Sequence, residues 1–197
     1  MNKTSVLTCW LLSVLALSLG LMVWLFVLES SADSVLLWAR YTARFAFLLF
    51  ILSFSASALH YFLTNRVTRQ LRRQRRAVGL SFALAHMIHL IALISFFVTS
   101  GEAVDAATLI AGGFGYVMVI AMALTSNDKA VQKLGAKGWH RLHWWGAHYI
   151  ALVFTITYLG RLADGRLGDV VASILVAVML AAYALRGAHF VSRRRAN

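Results

Sequence analysis

The chain has no proline, a single cysteine and only seven acidic residues in 197. Each shortage excludes something. One cysteine, Cys9, permits no intrachain disulfide and no thiolate cluster for zinc or iron–sulfur. Without proline, the broken-helix designs of many transporters are disfavoured. Charged residues make up 13% of the chain, against about 25% in an ordinary soluble domain. The acids that do occur, Glu29, Asp33, Glu102, Asp105, Asp128, Asp164 and Asp169, all fall outside the long apolar runs. An apolar interior without a carboxylate is badly suited to moving protons or cations.

What is abundant is hydrophobicity, at 60% of residues. A membrane-spanning helix needs about 20 apolar residues, and runs of that kind cover roughly 5–28, 35–63, 77–98, 106–125, 139–161 and 168–190, with boundaries good to about ±2–4 residues. The pattern predicts an all-α, polytopic membrane bundle of six transmembrane helices, one domain over residues 1–197. The first run is too long for a signal-peptide core and lacks a small-x-small cleavage site, so it reads as a retained helix.

Net charge is +12, but its distribution argues against nucleic-acid binding. Arg66, Arg69, Arg72, Arg73, Arg75 and Arg76 fill the second connection, Lys129, Lys133 and Lys137 the fourth, and Arg193, Arg194 and Arg195 the tail. Glu29 and Asp33 lie in the first connection, Glu102 and Asp105 in the third, Asp164 and Asp169 in the fifth. Basic and acidic connections alternate, which under the positive-inside rule places both termini in the cytoplasm, as expected for a bacterial inner-membrane protein. The basic stretches are topology signals that also face anionic lipid heads. Ser126 or Asn127 is a candidate N-cap for a short amphipathic helix at the inner surface, with Ala130, Val131 and Leu134 as its apolar stripe and Gly135 as its stop. Trp139, Trp144 and Trp145 are interfacial anchors. Gly112, Gly113 and Gly115 read as helix packing, with clearance for a flat ring as the sharper alternative.

Against this background four histidines and two arginines stand out. His86 and His89 lie in the third run, three residues apart on one helix face, and His143 and His148 in the fifth. Counted at 1.5 Å per residue from Ala77 and His140, the depths are roughly 13 Å for His86, 18 Å for His89, 4 Å for His143 and 12 Å for His148. Depth therefore pairs His148 with His89 or His86 and leaves His143 shallow. Arg44 lies about 13 Å inside the outer edge of the second run, with Arg40 one turn nearer the surface. Neutral imidazoles with arginines and no carboxylates suit haem, whose iron takes axial imidazoles and whose propionates need cations. Hydrogen bonding of each histidine to a neighbouring helix, and snorkelling of the arginines, are the plainer alternatives. His140 and His189 look interfacial, and His60 lies near the inner end of its helix.

Leu124-Thr125-Ser126, Leu134-Gly135, Trp139 and Leu142-His143, together with Arg75-Arg76-Ala77-Val78-Gly79-Leu80 followed by His89, resemble the ferric reductase-like transmembrane domain family. The branch most alike supplies the haem-binding membrane subunits of bacterial periplasmic methionine sulfoxide reductase systems. The likeness runs in order over roughly residues 40–160. It implies haem b, one or two per chain, and electron transfer across the membrane, with His89 and His143 at the matching ligand positions. The family's second histidine of the fifth helix falls here on Ile156, beside Thr157, and the inner third-helix ligand of its eukaryotic oxidase branch falls on Arg75. Either His148 has taken over as ligand, giving one central haem, or the chain keeps the fold without firm haem binding. No Gly-rich dinucleotide fingerprint is present, and FMN or quinone is not indicated by any residue pattern. The resemblance leaves the electron donor to a separate cytoplasmic reductase or quinol, and the acceptor to a periplasmic protein or metal chelate.

Overall fold

A computed structural model describes residues 3–29, 33–163 and 170–196. Among them the chain is helical without a strand: α1 (Lys3–Val23, continued by a π-helical stretch, Trp24–Glu29), α2 (Ser34–Phe62), α3 (Arg66–Ser100), α4 (Ala106–Leu124), α5 (Asp128–Ala163) and α6 (Val170–Ala196). All but α5 are long and apolar enough to cross a membrane by length and composition. α5 is long enough, but its three tryptophans, three histidines and Arg161 dilute its apolar stretch. Asp164 and Asp169 lie outside the described residues.

The arginine-rich segment is not a loop. Asn65 caps α3, its Oδ1 accepting from Thr68 N at 2.9 Å, and the helix then runs unbroken for 35 residues, roughly 52 Å. Arginine, glutamine and leucine are good helix formers, and from Arg69 to Arg76 there is no glycine and no β-branched residue. At its far end Gly101 takes a left-handed conformation (φ 68°), and its N–H caps the Phe97 carbonyl. α4 opens at Asp105, whose Oδ1 accepts from Thr108 N at 2.9 Å. The amphipathic segment before the fifth run is present as expected. Asn127 Oδ1 accepts from Ala130 N at 2.8 Å, and Gly135 (φ 69°, ψ 157°) breaks the helical path within α5. That combination of angles is open essentially to glycine alone.

α2 and α3 form the most intimate pair. Gly79 brings α3 so near α2 that an added Cβ would sit 3.2 Å from Ser53 Oγ. α2 meets α5 through aromatic rings: Phe47 lies edge-on to Phe154 and Tyr158, with centroids 5.3 and 5.4 Å apart. Phe50 bridges Phe82 of α3 and Phe154 of α5. Around these rings pack Leu175, Val176 and Met179 of α6. Lipid tails are as apolar as these side chains, so ring geometry and close packing hold such a core together, not exclusion from water.

The starts of α1, α3 and α5 and the ends of α2 and α6 meet at one end of the bundle. Trp10 Nε1 donates to Gln74 Oε1 at 3.1 Å, Arg76 pairs with Asp128 at 3.0 Å, and Tyr61 lies against His189 with centroids 4.8 Å apart. This end carries the arginine run of α3, the lysines of α5 and the arginine tail. Glu102 and Asp105 lie at the other, between α3 and α4.

Candidate functional site

Six side chains were singled out by sequence: His86, His89, His143, His148, Arg40 and Arg44. The fold brings them together in parts. His89 turns toward α2, its Nδ1 3.3 Å from Thr42 Oγ1. The Thr42 hydroxyl has one proton and directs it to the Trp38 carbonyl at 2.7 Å. Toward His89 it can therefore only accept, so Nδ1 carries the hydrogen and Nε2 keeps its lone pair. His86, one turn away, lies 5.6 Å from the His89 ring, stacks on Tyr116 at 4.7 Å and lies near Phe82 and Phe154. Its Nδ1 is buried and has no hydrogen-bond partner.

The α5 histidines lie toward the basic end. His148 donates from Nδ1 to the Trp144 carbonyl at 2.7 Å, which again leaves Nε2 as the bare nitrogen. Its ring lies 4.2 Å from Trp144 and 5.6 Å from Phe54 of α2. His143 stacks on Trp139 at 4.1 Å, with Nε2 3.1 Å from Thr125 Oγ1. Thr125 spends its own proton on the Ala121 carbonyl at 2.7 Å, so this imidazole has the opposite tautomer, with Nδ1 bare.

Depth matching does not survive in three dimensions. His89 is level with Thr42 and His148 with Phe54, positions twelve residues apart on α2, or about 18 Å. His86 is level with Phe154, six residues or about 9 Å beyond His148 on α5. The two helix edges used for counting are not level: Arg75, just before Ala77, lies close enough to His143 for its charge to act there. Counting from His140 starts α5 too high. Opposite His86 the fifth helix offers Phe154, with Ile156 nearby, and no imidazole.

Arg44 does not approach His89 either. Two residues from Thr42, it emerges from nearly the opposite side of α2, where its guanidinium lies 5.4 Å from the Tyr41 ring. Arg40 shares that face, one turn away. Gly115 packs ordinarily on Ile150 and Tyr149, whereas Gly112 and Gly113 have nothing within 4 Å of a would-be Cβ. His60 Nδ1 lies 3.4 Å from Thr68 Oγ1, and His140 is exposed beside Trp139.

Sequence reasoning missed Arg186. It lies within the sixth apolar run, so the rule that flagged Arg44 flags it too. Its Nη1 donates to the Phe54 carbonyl at 2.7 Å, and its guanidinium covers the Phe54 ring at 4.1 Å. Thr42 carries no signal in the sequence because a helix-interior threonine ordinarily bonds its own backbone, and Thr125, though within the Leu124-Thr125-Ser126 stretch, has no role implied by that resemblance.

Haem asks for axial imidazoles with a free nitrogen and for cations near its carboxylates. His89 and His148 have the free Nε2, and His86 has a buried nitrogen without a partner, so the donor chemistry fits. No two of these imidazoles face each other across one level. Among the described residues, no three of His, Cys, Asp and Glu gather as a cage for a bare metal ion. No family model, no curated protein and no solved structure matches the chain.

Proposed function

We propose that this chain is a haem b-binding integral membrane subunit that passes electrons across the membrane to an extracytoplasmic acceptor. In this reading α5 is the sixth span and both termini face the cytoplasm, in the inner membrane of a bacterium. His89 carries the proposal: an imidazole within an apolar helix, its Nδ1–H held by Thr42 and its Nε2 lone pair left free. That is the tautomer a metal-ligating histidine adopts when its other nitrogen is fixed by a neighbour. The free Nε2 of His148 adds a second donor nearer the basic end. Haem, when bound, supplies reversible one-electron chemistry; the helices orient it and keep water away. Electrons come from a separate cytoplasmic reductase or from quinol, and leave to a periplasmic protein or a metal chelate.

The test is a dithionite-reduced minus oxidised spectrum of the detergent-purified protein, with haem counted per chain. We expect a b-type spectrum in the wild type, loss of haem in His89→Ala, and a reduced or altered signal in His148→Ala. Unchanged spectra in both variants would remove these histidines as ligands. A second reading, a haem-free membrane binding or assembly protein with the same fold, is favoured by the offset of about 9–18 Å between the α3 and α5 imidazoles. Protein that stays colourless after expression with ample haem decides for it.

A further inference from the structure

Arg75 of α3 and Arg186 of α6 converge on consecutive carbonyls of α2. Arg75 Nε donates to the Ser53 carbonyl at 3.2 Å and Nη1 to Ser57 Oγ at 3.4 Å. Arg186 Nη1 donates to the Phe54 carbonyl at 2.7 Å. The close approach of Gly79 to Ser53 puts Arg75, one turn earlier on the same face of α3, within reach of that carbonyl. Ser53 and Phe54 are consecutive on α2, so the two guanidiniums sit on adjacent carbonyls. Nearby, Arg76 pairs with Asp128. Among the described residues, neither Arg75 nor Arg186 is paired with a carboxylate.

Two like charges held together at an apolar helix boundary repel, a costly arrangement unless an anion joins them. Snorkelling does not account for it, because both side chains are tied to α2 carbonyls and not extended toward the end of the bundle. Most of their N–H donors are still unused, and a guanidinium fork matches the oxygens of a phosphate. Arg186 lies seven residues, about 10 Å, inside the Arg193–Arg195 tail, and Trp144 and Trp145, exposed residues of the interfacial type, lie next to His148.

We infer that Arg75 and Arg186 form a binding site for a phosphate-bearing anion, either the headgroup of an acidic phospholipid or free phosphate. This goes beyond the haem reading and stands without it.

The test measures phospholipid retention by native mass spectrometry, and the rise in melting temperature, on the full-length protein in detergent. Phosphatidylglycerol, phosphatidylcholine and inorganic phosphate are added separately. Wild type is expected to gain stability from phosphatidylglycerol or from inorganic phosphate, and to retain phosphatidylglycerol if the lipid is the ligand. Arg75→Gln and Arg186→Gln should weaken that binding about tenfold. Arg75→Lys and Arg186→Lys preserve charge and fold, and should weaken it less because the fork is lost. Substituting Arg193, Arg194 and Arg195 by Gln removes more charge and should leave binding unchanged. A gain from inorganic phosphate alone assigns the free anion; a gain from the acidic lipid alone assigns the headgroup. Equal binding by wild type and all four arginine variants overturns the site. Haem loss in those variants with lipid and phosphate binding unchanged also overturns it, giving the arginines to the haem carboxylates instead.

Discussion

Single residues decide the local geometry here through one proton or one missing Cβ. Thr42 is the clearest case. Because its hydroxyl proton is committed to the Trp38 carbonyl, it fixes which nitrogen of His89 is bare. Thr42→Val keeps the shape and removes the acceptor, so under the proposed haem reading haem affinity is expected to fall about 10–100-fold, read by haem titration of the purified protein. Gly135 is the second case. Its φ of 69° with ψ of 157° lies where a Cβ is strained. Gly135→Ala should cost about 1–3 kcal/mol, seen as a lower melting temperature in detergent, although the space around it is open. The glycine was legible as a helix stop in the sequence. The threonine was not, since its role depends on a partner 47 residues away.

At the scale of elements, caps were readable and lengths were less so. Asn127 and Gly135 bound the short amphipathic segment as composition suggests, whereas the arginine run proved to be the first three turns of α3. Charge there marks where α3 leaves the apolar layer, not where the helix begins. At the start of α4, hydrogen bonds from the Thr108 side chain and backbone N–H hold the Asp105 carboxyl below the usual carboxylate range. Its folded-state pKa is lowered, so its support of α4 is fully present above the ordinary carboxylate pKa. That support is lost as pH falls through the lowered value. Amide exchange at residues 106–109 should therefore show fraying of the first turn at acid pH, and Asp105→Ala should show the same fraying at neutral pH with no further pH dependence.

Across the whole molecule, one end gathers the α3 arginines, the α5 lysines and the α6 tail, and the other has Glu102 and Asp105. Under the proposed topology the first end faces the cytoplasm, as the positive-inside rule would place it. In a Cys9→Ser background, the Glu102→Cys variant should react with a membrane-impermeant maleimide in spheroplasts. The Lys133→Cys variant should react only after permeabilisation. Labelling in the reverse sense would invert the topology, and equal labelling of both would sink the membrane-spanning assignment of α4.

The all-helical class, the approximate places of the apolar helices, the cap at Asn127 and the stop at Gly135 were legible in the sequence, because hydrophobic runs and caps are local properties of the chain. Which histidines share a level was settled only by the tertiary structure. Depth counted along one helix transfers to its neighbour only if their edges are level. The ring contacts of His86 with Phe154 and of His148 with Phe54 put the two imidazoles about 9 Å apart in level. The convergence of Arg75 and Arg186 belongs to the same class. They are 111 residues apart in sequence and meet only because α2 presents two consecutive carbonyls between α3 and α6.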